Sequence, residues 1–395
     1  QGISLVNSLR SAEAIKPLLA FTAGSKDDER ISEAYFWLGE AYYRSDMLNN
    51  AIETYSQILE KYPQSPRREE SLYGLGWSYF RLKNFDRSSK IFDQMIKEFP
   101  KTAYGVEVLT RQGDGYYLNK NYNAAADAYR KAANLAPNTE EGQYSAYQLC
   151  HALYRQSKYE QSITALLSFA KSYQSSPFTP NALYLIGWIR FQQNKYAEAI
   201  DNFRFLINTY PQSDLSPRAH FAIADCFYNL GNYEEAISGY KMIVEKFPSH
   251  DLAPEAMKGV QYALMALGRD AEALEIADKY IESNPNSPFV SDFKYKKAEM
   301  FYTGRKYQDA IAEFKNFSDK YPDSEKNAEA LYWMGKSYLN MNEIPSAERT
   351  FSDLTRKFPK SDYAPLGLLE YGLMLKDNNN YKSADSILKV LQVKY

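Results

Sequence analysis

Apolar and polar positions along the chain alternate in blocks of two amphipathic stretches, most plainly over Ala219–Pro248, AHFAIADCFYNLGNYEEAISGYKMIVEKFP. Apolar residues recur there at steps of three and four, which places them on one face of an α-helix. A Gly231-Asn232 turn separates the two stretches, and the aromatic-proline step Phe247-Pro248 closes the unit. The closing step returns at Tyr62-Pro63, Phe99-Pro100, Ala136-Pro137, Tyr210-Pro211, Asn284-Pro285, Tyr321-Pro322 and Phe358-Pro359. Successive steps are 37 residues apart, or 74 across Tyr173-Gln174, where the proline is missing. A fixed internal period of this kind predicts a stack of helix-turn-helix units, each burying its apolar face on its neighbours.

Nine full copies run 32–68, 69–105, 106–142, 143–179, 180–216, 217–253, 254–290, 291–327 and 328–364. Residues 1–31 match the last 31 positions of a copy and residues 365–395 the first 31. The single array therefore spans 1–395, with about twenty helices in an all-α fold and no strand. A chain that starts and stops inside its own repeat reads as a fragment of a longer protein.

Columns of equivalent positions carry the local signals. In the first helix a small residue recurs at Gly39, Gly76, Gly113, Cys150, Gly187, Ala224, Ala298, Gly335 and Gly372, the size that lets two helices approach closely. The second helix carries Ala51, Ser88, Ala125, Ser162, Ala199 and Ala236 in one column, then Tyr55, Phe92, Tyr129, Leu166, Phe203 and Tyr240 four residues on. Ser or Thr follows the closing proline by two residues (Ser65, Thr102, Ser176, Ser213, Ser287, Ser324, Ser361), which is turn chemistry. Pro180, Pro217, Pro254 and Pro365 open first helices, where a missing N–H costs nothing. Acids such as Glu33, Glu70, Glu107 and Glu329 follow in the first turn and complement the helix dipole. Copy seven is the weakest, with Gln261 in the small column, Asp270 at the turn and Ala277 in the Tyr55 column. Either the stack bends there or these residues compensate one another.

Composition changes this picture little. The 47 basic and 49 acidic residues leave a formal charge of -2, so no global field favours nucleic acid or an acidic membrane surface. No apolar run is long enough to span a bilayer, and no signal peptide or lipidation cysteine is visible. Cys150 and Cys226 sit two copies apart and read as small buried fillers rather than a disulfide. The 35 tyrosines are an excess that needs a place in the fold.

The small-then-aromatic spacing, the alanine opening the second helix and the closing proline resemble the tetratricopeptide repeat over the whole chain. The usual unit is 34 residues, and the three extra here fall in the loop after the proline. The resemblance implies a right-handed α-solenoid and a non-catalytic scaffold that binds a partner protein or peptide in the concave groove of its first helices. The stretch NAEALYWMGKSYLNMNEIPSAERTFSDLTRKFPKSDYAP is similar to a bacterial subgroup that includes the periplasmic coordinator of the Tol-Pal system and a lipoprotein of outer-membrane protein assembly. That likeness implies a bacterial envelope complex and a periplasmic or envelope location, with the cytoplasm as the alternative. A targeting or regulatory arm of a larger enzyme or export machine is the competing function, and self-association through open repeat ends a third.

On a helical wheel, Tyr35, Leu38, Gly39 and Tyr42 form the packed side, while positions 36, 40 and 43 lie roughly 115° away. That second side carries Phe36, Tyr73, Tyr147, Tyr184 and Phe221 in one column and Phe191 and Tyr228 in another. Between them runs a variable column: Glu40, Trp77, Asp114, His151, Trp188, Asp225, Tyr262, Glu299, Lys336. Large aromatics on such a face suit an extended peptide or a partner helix, because they bring contact area at low side-chain entropy cost. The competing explanation is that they pack neighbouring first helices together. The variable column is the better functional candidate, since packing alone does not ask for Trp, Asp, His and Lys in alternation, and Trp77 and Trp188 are the expected anchors.

Other chemistries find no support in the residues. A two-carboxylate clamp of the family needs Lys and Asn at groove positions that here hold Phe36 with Glu40 and Tyr73 with Trp77. His151, His220 and His250 lack metal-ligand spacing, so no metal, cofactor or catalytic group is expected. Gly113-Asp114-Gly115 falls mid-helix, where the repeat already explains Gly113, and Asn316-Phe317-Ser318 lies inside a helix and is discounted as a glycosylation site.

Overall fold

A computed structural model of the chain describes residues 2–24, 28–248, 250–283, 285 and 290–395. Gln1, Asn284 and Ser287, which the repeat columns include, lie outside the described residues. Among the described residues there are 22 helices and no strand, and within residues 1–215 and within residues 216–395 consecutive helices pack in chain order. No helix among them is long and apolar enough to cross a membrane. The chain forms two compact units, 1–215 and 216–395.

Each copy is an antiparallel helix pair, as in Arg68–Arg81 with Phe85–Glu98, or Ser216–Asn229 with Tyr233–Lys246. One joint terminates every first helix. A residue just past its last turn is left-handed, and its own N–H and the following one reach back: Gly231 N–H to Tyr228 C=O at 3.0 Å and Asn232 N–H to Phe227 C=O at 2.9 Å. This is the Schellman closure, which satisfies carbonyls that the helix end would orphan. The left-handed residue recurs every 37 positions, at Leu9, Asp46, Lys83, Lys120, Ser157, Asn194, Gly231, Gly268, Arg305, Asn342 and Asn379, with φ between 58° and 78°. Only two of the eleven are glycine. Left-handed backbone costs a side-chain-bearing residue roughly 1–2 kcal/mol, partly offset by the freedom glycine loses on folding. Lys83→Gly and Lys120→Gly should therefore each stabilise the chain by about 0.5–1 kcal/mol, measured as a higher urea midpoint. A lower midpoint would mean that the lysine side chains contribute more than the strain.

The loops between copies are equally uniform. Ser65, Thr102, Ser176, Ser213, Ser324 and Ser361 each accept a hydrogen bond from the N–H two residues on, at 3.1–3.4 Å. At Tyr173, where the proline is lost, the backbone keeps the φ -126°, ψ 53° of the proline-bearing ends, close to Tyr62 at -125°, 59°. The aromatic C-cap therefore does not depend on the proline that usually restricts it.

The core is a row of small-against-large contacts. A Cβ placed on Gly39 would lie 2.6 Å from the Tyr55 ring, on Gly76 2.3 Å from Phe92, on Gly113 2.5 Å from Tyr129, on Gly187 2.6 Å from Phe203, and on Gly335 2.5 Å from Phe351. These five rings are all but fully buried. Copy seven keeps the device in reverse. Its small-column position is the buried Gln261, whose amide donates to Met300 Sδ at 3.4 Å, and its large-column position is the buried Ala277. The two departures thus compensate in volume.

Cys150 and Cys226 are buried and free, and burial pushes both thiols up to about 12. They serve as fillers, unreactive at neutral pH.

Candidate partner-binding face

The first helices are buried more widely than a single helical wheel suggests. Leu38, Gly39 and Tyr42 are buried as expected, but so is Phe36, at 7 % exposure, because the loop that ends its own copy covers it. In four copies the covering residue stands 31 positions further on, just before the next first helix. The Arg67 guanidinium lies 5.2 Å from the centroid of the Phe36 ring. Tyr104 stacks on Tyr73 at 4.4 Å, Phe178 on Tyr147 at 5.7 Å, and the Lys326 ammonium sits 4.9 Å from the Tyr295 ring. From below, the same column meets the large second-helix rings: Phe36 with Tyr55 at 6.5 Å, Tyr184 with Phe203 at 5.3 Å, Phe221 with Tyr240 at 5.5 Å.

The Tyr43 column staples the turn. Apart from Tyr43, which Leu48 follows, its rings meet an aromatic five residues later at the start of the second helix, edge-on in Phe191–Tyr196 at 5.4 Å, Tyr228–Tyr233 at 5.3 Å and Tyr117–Tyr122 at 5.3 Å. These two columns house much of the tyrosine excess, and Phe191 and Tyr228 have this packing role whatever else they contact.

Part of the variable column is set by the core as well. Wherever the large second-helix residue is Tyr, its hydroxyl donates to an acid fifteen residues earlier: Tyr55 to Glu40 Oε1 at 2.7 Å, Tyr129 to Asp114 Oδ1 at 2.8 Å, Tyr240 to Asp225 Oδ1 at 2.5 Å. A buried hydroxyl without a partner costs roughly 1–3 kcal/mol, so Tyr in one column calls for an acceptor in the other. Where the ring is Phe92 or Phe203, no acceptor is needed and the column holds Trp77 or Trp188. Burial pushes the Asp225 carboxyl up to about 6, although the Tyr240 hydroxyl bond works the other way.

Trp77, His151 and Trp188 are the members of this column in unit one that core hydroxyls do not explain. All three are half-buried. Trp77 is edge-on to Tyr73 at 6.3 Å and Phe80 at 5.6 Å, with the Arg111 guanidinium over its ring at 5.6 Å. Trp188 stacks on Phe191 at 5.5 Å and 9°. His151 is edge-on to Tyr147 at 4.6 Å, and burial lowers its imidazole to about 4, so it is neutral at physiological pH. The structure thus joins Tyr73 with Trp77, Tyr147 with His151, and Trp188 with Phe191 into three local aromatic groups.

Arg67, Tyr104 and Phe178, just before first helices, and Glu141, in the first turn of Glu140–Arg155, also line this face together with Arg111, and a wheel drawn for one helix could not reveal them. A cleft of about 620 Å³ opens there, lined by Arg111, Thr139, Glu140, Glu141, Tyr144 and Phe178.

A periodic all-α stack whose first helices carry the variable side chains belongs to the class of helical-repeat proteins. Tetratricopeptide-repeat models match residues 33–65, 70–102, 106–139, 262–325 and 304–367. Residues 164–243 match the family model described as anaphase-promoting complex, cyclosome, subunit 3. No curated protein is a significant match to the chain. Among solved structures, a tetratricopeptide repeat protein from Parabacteroides merdae ATCC 43184 aligns over 67 % of this chain and 98 % of its own, at 15 % identity and a TM-score of 0.43. The chain is a tetratricopeptide-repeat protein, and such repeats make it a protein-interaction scaffold.

Proposed function

We propose that this scaffold binds an extended segment or helix of a partner protein along its first-helix face, anchored by Trp77 and Trp188. The observation that carries this reading is the split within the variable column. Its acids Glu40, Asp114 and Asp225 answer buried hydroxyls of the second helix, whereas the two tryptophans are half-buried and stand where the second-helix ring is a phenylalanine. Large aromatics in that setting are the residues that dominate binding energy at interfaces. The 37-residue register continues through position 216 of the sequence, which supports treating both units as one repeat array. The partner is assigned to a bacterial cell-envelope complex, in the periplasm, on the likeness of residues 327–365 to the envelope subgroup.

Photo-crosslinking tests the face. Trp77→benzoylphenylalanine and Trp188→benzoylphenylalanine are each expected to trap a partner in the native host, and Phe205→benzoylphenylalanine, on an exposed second-helix position, is not. Adducts from position 205 with none from 77 or 188 would place binding elsewhere. Fractionation of the same host tests the compartment, and recovery in the cytosol would refute the envelope assignment.

A further inference from the structure

Within residues 216–395, copy seven holds its second helix more loosely than the copies on either side. In copy six the Tyr228 ring staples Tyr233 at 5.3 Å, Phe221 meets Tyr240 at 5.5 Å, and the helix Tyr233–Lys246 buries Ala236, Ile237, Tyr240 and Ile243. In copy eight Tyr302 staples Tyr307 at 5.7 Å, Tyr295 meets Phe314 at 5.8 Å, and Tyr307–Lys320 buries Ala310, Phe314 and Phe317. Copy seven has neither ring contact, because the same four positions hold Met265 with Asp270 and Lys258 with Ala277. Its second helix, Asp270–Ser283, buries Ala273, Ala277 and Tyr280. Gln261 offsets the volume that Ala277 gives up, but its amide bonds Met300 of copy eight rather than the helix beside it. A helix that buries so little large apolar surface opens at a lower free energy than its neighbours.

The two sides of this joint differ. On the first-helix side copies seven and eight are tied, with Lys258 Nζ on Asp292 at 2.9 Å and the Lys296 ammonium 4.9 Å from the Tyr262 ring. On the second-helix side Asp270–Ser283 meets copy eight through Tyr280 against Phe293, ring centroids 4.5 Å apart, and through Asp278 with Lys297 at 2.7 Å. There Ala277, Tyr280 and Phe293 form a small buried cluster of their own, separate from the larger ones of copies six and seven and of copy eight. A cleft of about 300 Å³ runs beside them, with Val244, Met257, Ile276 and Tyr280 in its wall. Ties along one edge, and thin packing with open space along the other, are the parts of a hinge.

We propose that copy seven is a hinge within residues 216–395. The first-helix ties between copies seven and eight are its pivot, the helix Asp270–Ser283 is the element that yields, and copy eight and those after it swing relative to copy six. The swing changes the angle between the first helices of copies seven and eight, and with it the pitch of the face that carries Tyr262 and Glu299.

The test combines hydrogen exchange of the full chain with electron-resonance distances between nitroxides at Lys241→Cys and Lys315→Cys. Both labels sit on exposed second-helix positions, one on each side of copy seven, and the native Cys150 and Cys226 are buried. Amides of 270–283 are expected to exchange at least tenfold faster than those of 233–246 and 307–320, and the label distance to be broadly distributed. The variant Gln261→Gly/Met265→Tyr/Asp270→Tyr/Ala277→Phe restores the ring contacts of the other copies. It should slow exchange of 270–283 at least tenfold and narrow the distance distribution. Equal protection of the three helices in wild type would overturn the hinge. Fast exchange with one narrow distance would do so too, since the helix would then fray without moving its neighbours. So would unchanged exchange and distances in a variant whose flanking helices stay protected. The wild-type measurements need no repacked core, so they decide the matter even where the fourfold variant does not fold.

Discussion

Phe203→Ala and Gly187→Gln should each strongly destabilise copy five, and the two together should cost less than their sum by at least about 1 kcal/mol. Phe203 is fully buried, so truncation leaves a cavity that costs about 3–5 kcal/mol. At Gly187 even a Cβ would approach the Phe203 ring at 2.6 Å, so a glutamine has no room while that ring is present. Removing the ring opens the space the glutamine needs. The chain already contains this exchange, because copy seven pairs the buried Gln261 with the buried Ala277 in the same two columns. Recovery will be partial, since Gln261 also finds Met300 Sδ for its amide, while the equivalent position in copy five is not preset to accept. Urea unfolding of the four proteins measures the cycle, with amide exchange of the copy-five helices to localise it, because repeat arrays need not unfold in one step. Additive losses would show that the small and large columns are independent and that the reversal in copy seven has another cause.

The small-large pairing was open to inspection in the sequence because both partners lie within one copy, sixteen residues apart, and return nine times. The helix pairs, their turns and their closing aromatics were readable for the same reason. What was hidden lies in contacts that a wheel for one helix leaves out. A wheel for the first helix puts Phe36 away from its packed side, yet Phe36 is covered, because Arg67 closes over it from the far end of the copy. Likewise the variable column looked like a free polar code until the Tyr55, Tyr129 and Tyr240 hydroxyls were found on Glu40, Asp114 and Asp225. That coupling was present as covariation at a spacing of fifteen, but only a buried hydroxyl gives it a cause. Of the residues singled out on this face, Phe36, Phe191, Asp225 and Tyr228 have structural work to do.

Asp225→Asn should stabilise the chain at pH 7.5 by about 1–3 kcal/mol and change it little at pH 4. The Asp225 carboxyl is held at about 6 in the fold, by burial, against 3.8 for the free group. The folded state therefore binds more protons than the unfolded state between those values, and stability falls as pH rises from about 4 through 6. A shift of that size amounts to about 3 kcal/mol at neutral pH, at roughly 1.4 kcal/mol per unit. Asparagine carries no charge to bury and still presents Oδ1 to the Tyr240 hydroxyl, so the hydrogen bond that explains the acid survives. His151 titrates in the opposite sense. Its imidazole is lowered to about 4 by burial, so it costs stability as pH falls below the usual histidine range. Comparing wild type with Asp225→Asn at each pH cancels that contribution. Urea midpoints at pH 4, 5, 6 and 7.5 then isolate the aspartate. If the substitution destabilises the chain at pH 7.5, or its effect does not grow between pH 4 and 6, the carboxylate is better accommodated than its burial implies. In that event Asp225 returns to the binding face as a charged contact rather than as the acceptor that Tyr240 requires.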